Sequence, residues 1–451
     1  LRKYKKKILS EMVDTLSEAH DHIYRYVEDG NPGEATQLLG QAQECAVTMG
    51  STIEESEGEG TKTVGCLEKY CEVLFQTAAD ISDAGEININ KIRKNLSKSL
   101  VSIENSINND IRTTTETVFL PYKASMWDSL ESIWKKSEAD PDDETYVIPI
   151  PYCDRNPDGS FGEWHYEGDK YPKDVPVMHY EWYDFEKRRP DRIYIHNPYD
   201  EANYVTSVHP FFYSKNLKKF TDELIYIPYF VLPEPDPEND EAVKDIEHFI
   251  TVPAVMNADK VIVQSENMRR VYINVMVKYT GKEYREYWKN KISGEGSPKF
   301  DRILKIMNEE QEIPKEWQEM MTKEDGTKKK VIFYNTGISA LLENDMKMID
   351  KIKDSLEIFK KNKENVTLLW RPHPLIQATI SSMRPHLWEQ YKGIVDRYVK
   401  EHWGIYDDSA DMDRAIVISD AYYGDMSSIV ELYKKTGKPI MIQNAEIIEG
   451  V

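Results

Sequence analysis

From the first residue to about residue 112 the apolar positions recur at helical spacing. Ile8, Met12 and Leu16 fall on one helical face, and Leu100, Ile103 and Ile107 do so near the end of the segment. The stretch "EDGNPGEA" (28–35) breaks this pattern and places Pro32 near the start of a new helix. "EESEGEGTK" (54–62) breaks it again. The pattern predicts four or so helices over residues 1–112. The apolar stripe is not a sustained heptad and no repeat of fixed period appears, so the prediction is an all-α bundle rather than a long coiled coil. The basic opening "LRKYKKK" leaves two roles open for it, a structural bundle packed on its neighbour or a module docking a partner or membrane.

After residue 112 the period changes. "ETVFLPYKASMWDSLESIW" (116–134) reads as a short apolar strand, a turn and a helix capped by Ser125, with Trp127, Leu130, Ile133 and Trp134 on one face. "ETYVIPIPY", "PDRIYIHNPYDE", "DELIYIPYFV" and "ADKVIVQSENMRRVYI" continue the alternation. Continuous apolar strands between helical patterns indicate a parallel sheet covered on both faces. A second set follows "SGEGSPKFDRI" (293–303) and a polar stretch to about residue 330, with strands at "KKVIFYNTGIS", "VTLLWRPHP", "AIVISD" and "SDAYYGDMSSIVELYKKTGKPIMI" (419–442). The expected organisation is a helical bundle over 1–112, a Rossmann-like domain over 113–292 and a second over 293–451, with a ligand cleft between the last two.

Composition restricts the partners. A length of 451 residues suits two or three domains of roughly 150 residues. A formal charge of −21 opposes nucleic-acid binding, which needs a basic footprint, so any anionic ligand must be held locally. The four cysteines (Cys45, Cys66, Cys71, Cys153) form no CxxC pair, which predicts a reducing compartment and neither a disulfide scaffold nor a zinc site. No apolar run of about 18 residues and no signal-like start occurs, so the expected location is cytoplasmic, with peripheral membrane contact left open. No acidic pair is placed to suggest a metal. "DDETY", "PDPEND" and "YDDSADMD" read as solvated loops.

The chemistry-bearing residues gather at predicted strand ends, the edge where open α/β sheets bind ligands. In the first half these are Lys123, Ser125, His196, Asn197, Asp200 and Gln264. In the second, Asn335, Thr336 and Gly337 follow one strand, Arg371 and His373 another, and Gly424, Asp425, Ser427 and Ser428 a third. Together they could surround an anion: Arg371 could fork phosphate oxygens and His373 could donate a hydrogen bond or a proton. The helix opening at Ser427 and Ser428 could receive the remaining charge. Glu431, one turn further, could accept from a ribose diol.

"WRPHP", "GSPKFD" and "SDAYYGDMSSIVELYKKTGKPIM" resemble, in order and spacing, the R-x-H-P, G-x-P-(R/K)-x-D and S-D-x-x-x-x-D-x-S-S…K-P patterns of the CDP-glycerol glycerophosphotransferases that build teichoic acids. The resemblance covers about residues 260–442. It implies a GT-B fold and transfer of glycerol phosphate from CDP-glycerol to a hydroxyl of a polyol- or glycan-phosphate acceptor, lipid-linked acceptors included, with CMP leaving and no cofactor required. Arg371, His373, Asp425, Ser427 and Ser428 would hold the diphosphate and the transferring group. The family's W-H-G histidine, taken as the catalytic base, has no counterpart: Tyr229 and Phe230 stand there. His196 is the expected substitute, with His209 and His248 behind it. Asp425, Ser427, Ser428 and Glu431 with "GKPIM" also resemble the D-S-G-G-x-x-E…G-K-P pattern of non-hydrolysing UDP-N-acetylglucosamine 2-epimerases and related GT-B glycosyltransferases. An inactive nucleotide- or partner-binding protein is the third alternative.

Overall fold

The computed structural model describes residues 1–82, 88–156, 158–409 and 412–445. The chain divides into two compact units, Leu1–Val118 with Ser137–Tyr146 and Asp184–Arg192, and Phe119–Lys136 with Val147–Tyr183 and Ile193–Val451.

The first unit holds four long helices, α1 (Lys3–Glu28), α2 (Pro32–Glu57), α3 (Lys62–Ser82) and α4 (Ile89–Asp110). Both predicted breaks separate helices, and Pro32 occupies the first turn of α2, where its missing N–H costs nothing. Asn88 opens α4 by accepting the Lys91 N–H at 3.0 Å. Each helix packs on its sequence neighbours and α1 closes onto α4. Leu16, Ile23, Leu39, Ile53, Leu96 and Ile103 fill the interior, each worth about 1.5–3 kcal/mol of burial. A polar pair is enclosed among them: His20 Nε2 lies 2.6 Å from the Tyr70 hydroxyl, and burial lowers the imidazole to about 4, so it is neutral. The same unit carries a buried ion cluster at residues 2, 116, 188 and 191. Arg188 forks Glu116 at 3.0 and 2.8 Å, and Asp191 accepts the Glu116 N–H at 2.8 Å. Arg2 approaches both carboxylates.

Two parallel α/β halves follow, so the architecture is a helical region ahead of a GT-B-like Rossmann pair. The first contains β1 (Thr115–Leu120), α5 (Glu131–Glu138), β2 (Asp143–Val147), β3 (Tyr152–Arg155), β4 (Phe161–His165), β5 (Arg192–Ile195), β6 (Thr206–Val208), β7 (Glu223–Tyr226), β8 (Lys260–Ile262), α6 (Glu266–Thr280) and β9 (Ile292–Ser293). Six strands form one sheet in the order β2-β1-β5-β7-β8-β9, and β4-β3-β6 form a separate antiparallel ribbon. The expected Ser125 cap is absent. Residues 124–129 wind as a 3-10 turn preceded by Lys123, and the helix proper begins at Glu131.

The second half contains β10 (Lys330–Thr336), α8 (Ile338–Asn344), α9 (Met346–Lys361), β11 (Val366–Pro372), α10 (Ile376–Met383), α11 (Pro385–Glu401), β12 (Ile405–Tyr406), α12 (Met412–Ile418), β13 (Ala421–Gly424), α13 (Ser428–Lys434) and β14 (Ile440–Ile442). It is introduced by α7 (Pro298–Ile306). The sheet order is β12-β11-β10-β13-β14, all parallel. Val331, Phe333 and Leu369 enter one core while Tyr334, Leu368 and Trp370 enter the other, which is why these strands read as unbroken apolar runs. The "GSPKFD" stretch, expected in a connecting segment, opens α7 instead. Phe300, Ile303 and Ile306 join the second-half core, while Lys299 binds Asp128 at 2.5 Å and Asp301 accepts from Ser132 at 2.7 Å. Thus α7 ties the halves by burial on one face and ion pairing on the other. Among the described residues no helix is long and apolar enough to cross a membrane.

Candidate functional site

In the second half β10 lies between β11 and β13, so the chain turns in opposite directions on either side of it. This is a topological switch point: β10 and β13 stay paired to Asn335 and Gly424, and it is the segments leaving their carboxyl ends that diverge to leave a crevice. The parallel register sets Asn335 opposite Arg371 on one side and opposite Gly424 on the other. The three expected loops therefore meet. A cleft of about 1060 Å³ opens there, lined by Gly337, Ser339, His373, Asp425, Ser427 and Ser428, with Gln443 beside them and Phe249 from the first half. Gly424 makes the approach possible: at φ +154° a Cβ would sit 2.1 Å from the Asn335 carbonyl oxygen.

Asp425 organises the crevice. Its Oδ2 accepts the Gly337 N–H at 2.5 Å and its Oδ1 accepts the Gln443 amide at 2.6 Å. Burial raises its carboxyl above the usual range, with the two hydrogen bonds opposing the shift. Ser427 has the extended backbone of a helix-capping residue, yet its hydroxyl makes no cap; it points 3.4 Å from Asn335 Oδ1. Ser428 is exposed in the first turn of α13. His373 is also exposed. Its Nδ1 accepts the Leu375 N–H at 3.2 Å, so the neutral ring carries its proton on Nε2, and desolvation lowers its pKa.

The remaining sequence candidates serve the frame. Arg371 donates to Asp407 Oδ2 at 2.6 Å and to the Ser409 carbonyl at 2.7 Å, and both side chains of this pair are buried. It pins the 407–409 loop and borders, with His373, a neighbouring hollow of about 380 Å³. Asn335 donates to the Arg371 carbonyl at 2.9 Å, and the fully buried Thr336 accepts from Trp370 Nε1 at 3.1 Å. Glu431 is buried against Lys434 at 2.7 Å and is not among the cleft's lining. Side chains within a doubly covered strand alternate into its two cores, so only residues beyond the strand's end face the cleft.

His196 differs most from expectation. It is fully buried, and its Nε2 accepts the Tyr122 N–H at 3.1 Å. That bond requires an unprotonated Nε2, so the proton lies on Nδ1, 2.8 Å from Ser129 Oγ, which in turn donates to the Met126 carbonyl at 2.7 Å. Burial, helped by Lys299, depresses the ring to about 3. Both nitrogens are engaged, and an acceptor hydroxyl has no access. Asp200 is likewise occupied, by Ser214, and Gln264 pairs reciprocally with the Leu232 backbone. Tyr229 is packed on Tyr122 and His196, and Phe230 backs Phe249 at 5.2 Å. His248, ranked behind His196 from sequence, is exposed and lies 3.9 Å, centroid to centroid, from Phe249 of the cleft wall. Gln443 and Phe249 were not singled out in the sequence; Gln443 follows strand β14 and was open to the same strand-end rule as its neighbours.

No known protein family matches the chain, and no curated protein resembles it significantly in sequence. Among solved structures, UDP-GlcNAc 2-epimerase from Neisseria meningitidis bound to UDP-GlcNAc is similar over 72% of this chain and 82% of that one, at 11% identity and a TM-score of 0.43. The Methanocaldococcus jannaschii UDP-GlcNAc 2-epimerase, in complex with UDP-GlcNAc and UDP, matches over 72% and 82% at 10% identity and 0.42. The α,α-trehalose 6-phosphate synthase from Burkholderia multivorans matches over 72% and 80% at 10% identity and 0.34. Likeness at this level carries no argument about donor, acceptor or reaction.

Proposed function

We propose that this chain is a transferase that holds a nucleotide-diphosphate donor at the carboxyl ends of β10 and β13 and passes its activated group to an acceptor hydroxyl presented by the first half. The observation that carries the reading is the switch-point cleft. Two serines at a helix start and an imidazole Nε2–H line it, donors suited to phosphate oxygens, in a chain whose net charge otherwise repels anions. The motif resemblance makes CDP-glycerol the donor and CMP the leaving group.

On this reading Ser427 and Ser428 bind the diphosphate, and His373 donates its Nε2–H to the transferring phosphoryl group as charge shifts toward the bridging oxygen. Arg371 is a positioning residue that acts through the 407–409 loop. The proton of the acceptor hydroxyl goes to His248, an exposed ring packed on Phe249, which lines the cleft. Phosphoryl transfer through a loose transition state asks mainly for alignment and charge stabilisation, so one such base suffices. The epimerase-like alternative loses its ribose ligand, because Glu431 is spent on Lys434.

Titration with CMP, CDP-glycerol and UDP, paired with an assay for CMP release, tests the assignment. Binding of CDP-glycerol with release of CMP in the presence of acceptor is expected. Preference for UDP would move the protein to the sugar-nucleotide enzymes, and binding without turnover would make it a nucleotide-binding protein.

A further inference from the structure

The antiparallel ribbon inserted in the first half and the segment beside it carry a chain of touching aromatic rings with exposed members at both ends. Phe161 touches Trp164 at 5.4 Å, Trp164 touches His209 at 5.3 Å, and His209 meets Phe212 at 6.3 Å. Phe212 leads to Tyr180 at 6.1 Å, then to His179 at 4.5 Å and Trp182 at 5.7 Å. The run is continuous, yet Phe161 is 43%, Trp164 41% and Trp182 79% exposed. Phe212, the link between the two ends, is buried, so the exposed rings form two groups, Phe161 with Trp164 and His209, and Trp182 beside the half-buried His179 and Tyr180; large rings are normally buried, and exposed groups of this kind mark a surface that meets something. On the opposite face of the ribbon, Tyr152 lies 5.4 Å from His165 and 5.6 Å from Tyr122, which follows β1 at the ligand-binding edge of the first sheet. The ribbon that carries the platform is thus packed, through its other face, beside that edge.

The polar groups around it define the occupant. Glu163 and Glu181 are exposed acceptors. His179 and His209 each accept a backbone N–H at Nδ1, from Glu181 and Phe211, so in neutral form each leaves an Nε2–H as donor. Three cations of this region are already engaged: Arg155 donates to the Gly159 and Glu201 carbonyls and covers the Phe161 ring, Lys170 pairs with Glu167 and Lys215 with Glu201. A phosphate polymer or an anionic membrane would meet carboxylates here rather than open cations. An uncharged, hydroxyl-rich chain would lay its C–H faces on the electron-rich rings and bridge its hydroxyls to the carboxylates and imidazoles.

We propose that this platform binds an uncharged oligosaccharide stretch, the part of the acceptor adjoining the hydroxyl to be modified. The acceptor role rests on the transferase reading; the binding itself does not. The full chain is titrated, without nucleotide, with maltohexaose, cellohexaose and chitohexaose, with poly(glycerol phosphate), and with vesicles of phosphatidylcholine and phosphatidylglycerol, following tryptophan fluorescence and calorimetry. At least one hexaose should bind at millimolar concentration, with Trp164→Ala and Trp182→Ala each weakening it by about fivefold or more and Trp164→Phe retaining most of it. Circular dichroism checks that both variants fold, which the exposure of Trp182 favours. Failure of all three hexaoses, binding of the polyphosphate or vesicles in their place, or hexaose binding untouched by both alanine variants would overturn the assignment. A change in oligomeric state on Trp182→Ala without any sugar effect would also overturn it, by making the platform an interface between copies. Nucleotide binding is read separately, so loss of one reading leaves the other standing.

Discussion

The Asp425 carboxylate accepts the Gly337 N–H at 2.5 Å across the gap between β13 and β10. A buried carboxyl therefore fills, from within the chain, one of the donor positions at which a phosphate oxygen would be received. Because burial raises its pKa, the ionised form is the costly one, and a neighbouring diphosphate would raise that cost further.

Asp425→Asn keeps an oxygen for Gly337 while removing the charge. Diphosphate affinity at pH 7.5 should rise about three- to tenfold, or roughly 0.6–1.4 kcal/mol. The sign follows from protonation: as pH falls toward the raised pKa the wild-type carboxyl becomes neutral, so the advantage of the variant should shrink on acidification. Calorimetry with CDP at two pH values reads both effects. Weaker binding by Asp425→Asn would mean that the carboxylate orients the loop rather than competes with the ligand.

Gly424→Ala should separate β10 from β13, because its Cβ has only 2.1 Å to the Asn335 carbonyl. A loss of roughly 2–4 kcal/mol is expected, as for strain that packed backbone cannot relax, together with loss of nucleotide binding. Thermal unfolding with and without CMP checks it; unchanged melting would show that the strands give way easily.

Arg371 and the serine pair should separate stability from binding. Arg371→Ala strands the Asp407 carboxylate, which is completely buried, at a cost of about 3–5 kcal/mol, and Asp407→Ala added to it should restore part of that. Ser427→Ala with Ser428→Ala breaks no cap, so melting should hold while CMP affinity falls more than about tenfold. Denaturation curves and calorimetry on the same samples distinguish the two outcomes.

His248→Ala should lower CMP release by at least roughly a hundredfold with nucleotide affinity intact, the size expected for a lost general base. His196→Ala should instead lower stability, and any activity lost should track the folded fraction. A His196→Ala protein that melts normally but turns over slowly would return the base to that position.

Two buried histidines set an acid limit. His196 falls from 6.5 to about 3 and His20 from 6.5 to about 4 in the folded chain. A lowered folded pKa means that the unfolded chain alone takes up the proton. Their stabilising contribution is therefore full above pH 6.5 and declines as pH falls toward those values, by up to about 1.4 kcal/mol per pH unit per group. His20→Gln should flatten the pH dependence of unfolding between pH 6.5 and 4, measured by denaturant titration.

The change of period near residue 112, the breaks at 28–35 and 54–62 and most of the apolar strand runs are local or short-range signals, and they determined the helical region, the two α/β halves and the strand ends at which chemistry should gather; "AIVISD", expected as a strand, instead winds largely into α12, and the strand follows at Ala421–Gly424. Gly337, His373, Asp425, Ser427 and Ser428 were legible for that reason: each lies just past a strand, and parallel strands bring such positions to one edge. What each side chain does there was decided by partners distant in the chain. Arg371 is 36 residues from Asp407, His196 is 67 from Ser129, and Asp425 is 88 from Gly337. Motif spacing records that a residue sits at a strand end, but it does not record whether a neighbour has already taken its hydrogen bonds. Only the packed structure sets that, because a buried polar group must be satisfied by whatever the tertiary fold places against it. Phe161, Trp164 and Trp182 illustrate the same limit: in sequence they resemble core residues, and only the tertiary structure leaves them facing outward.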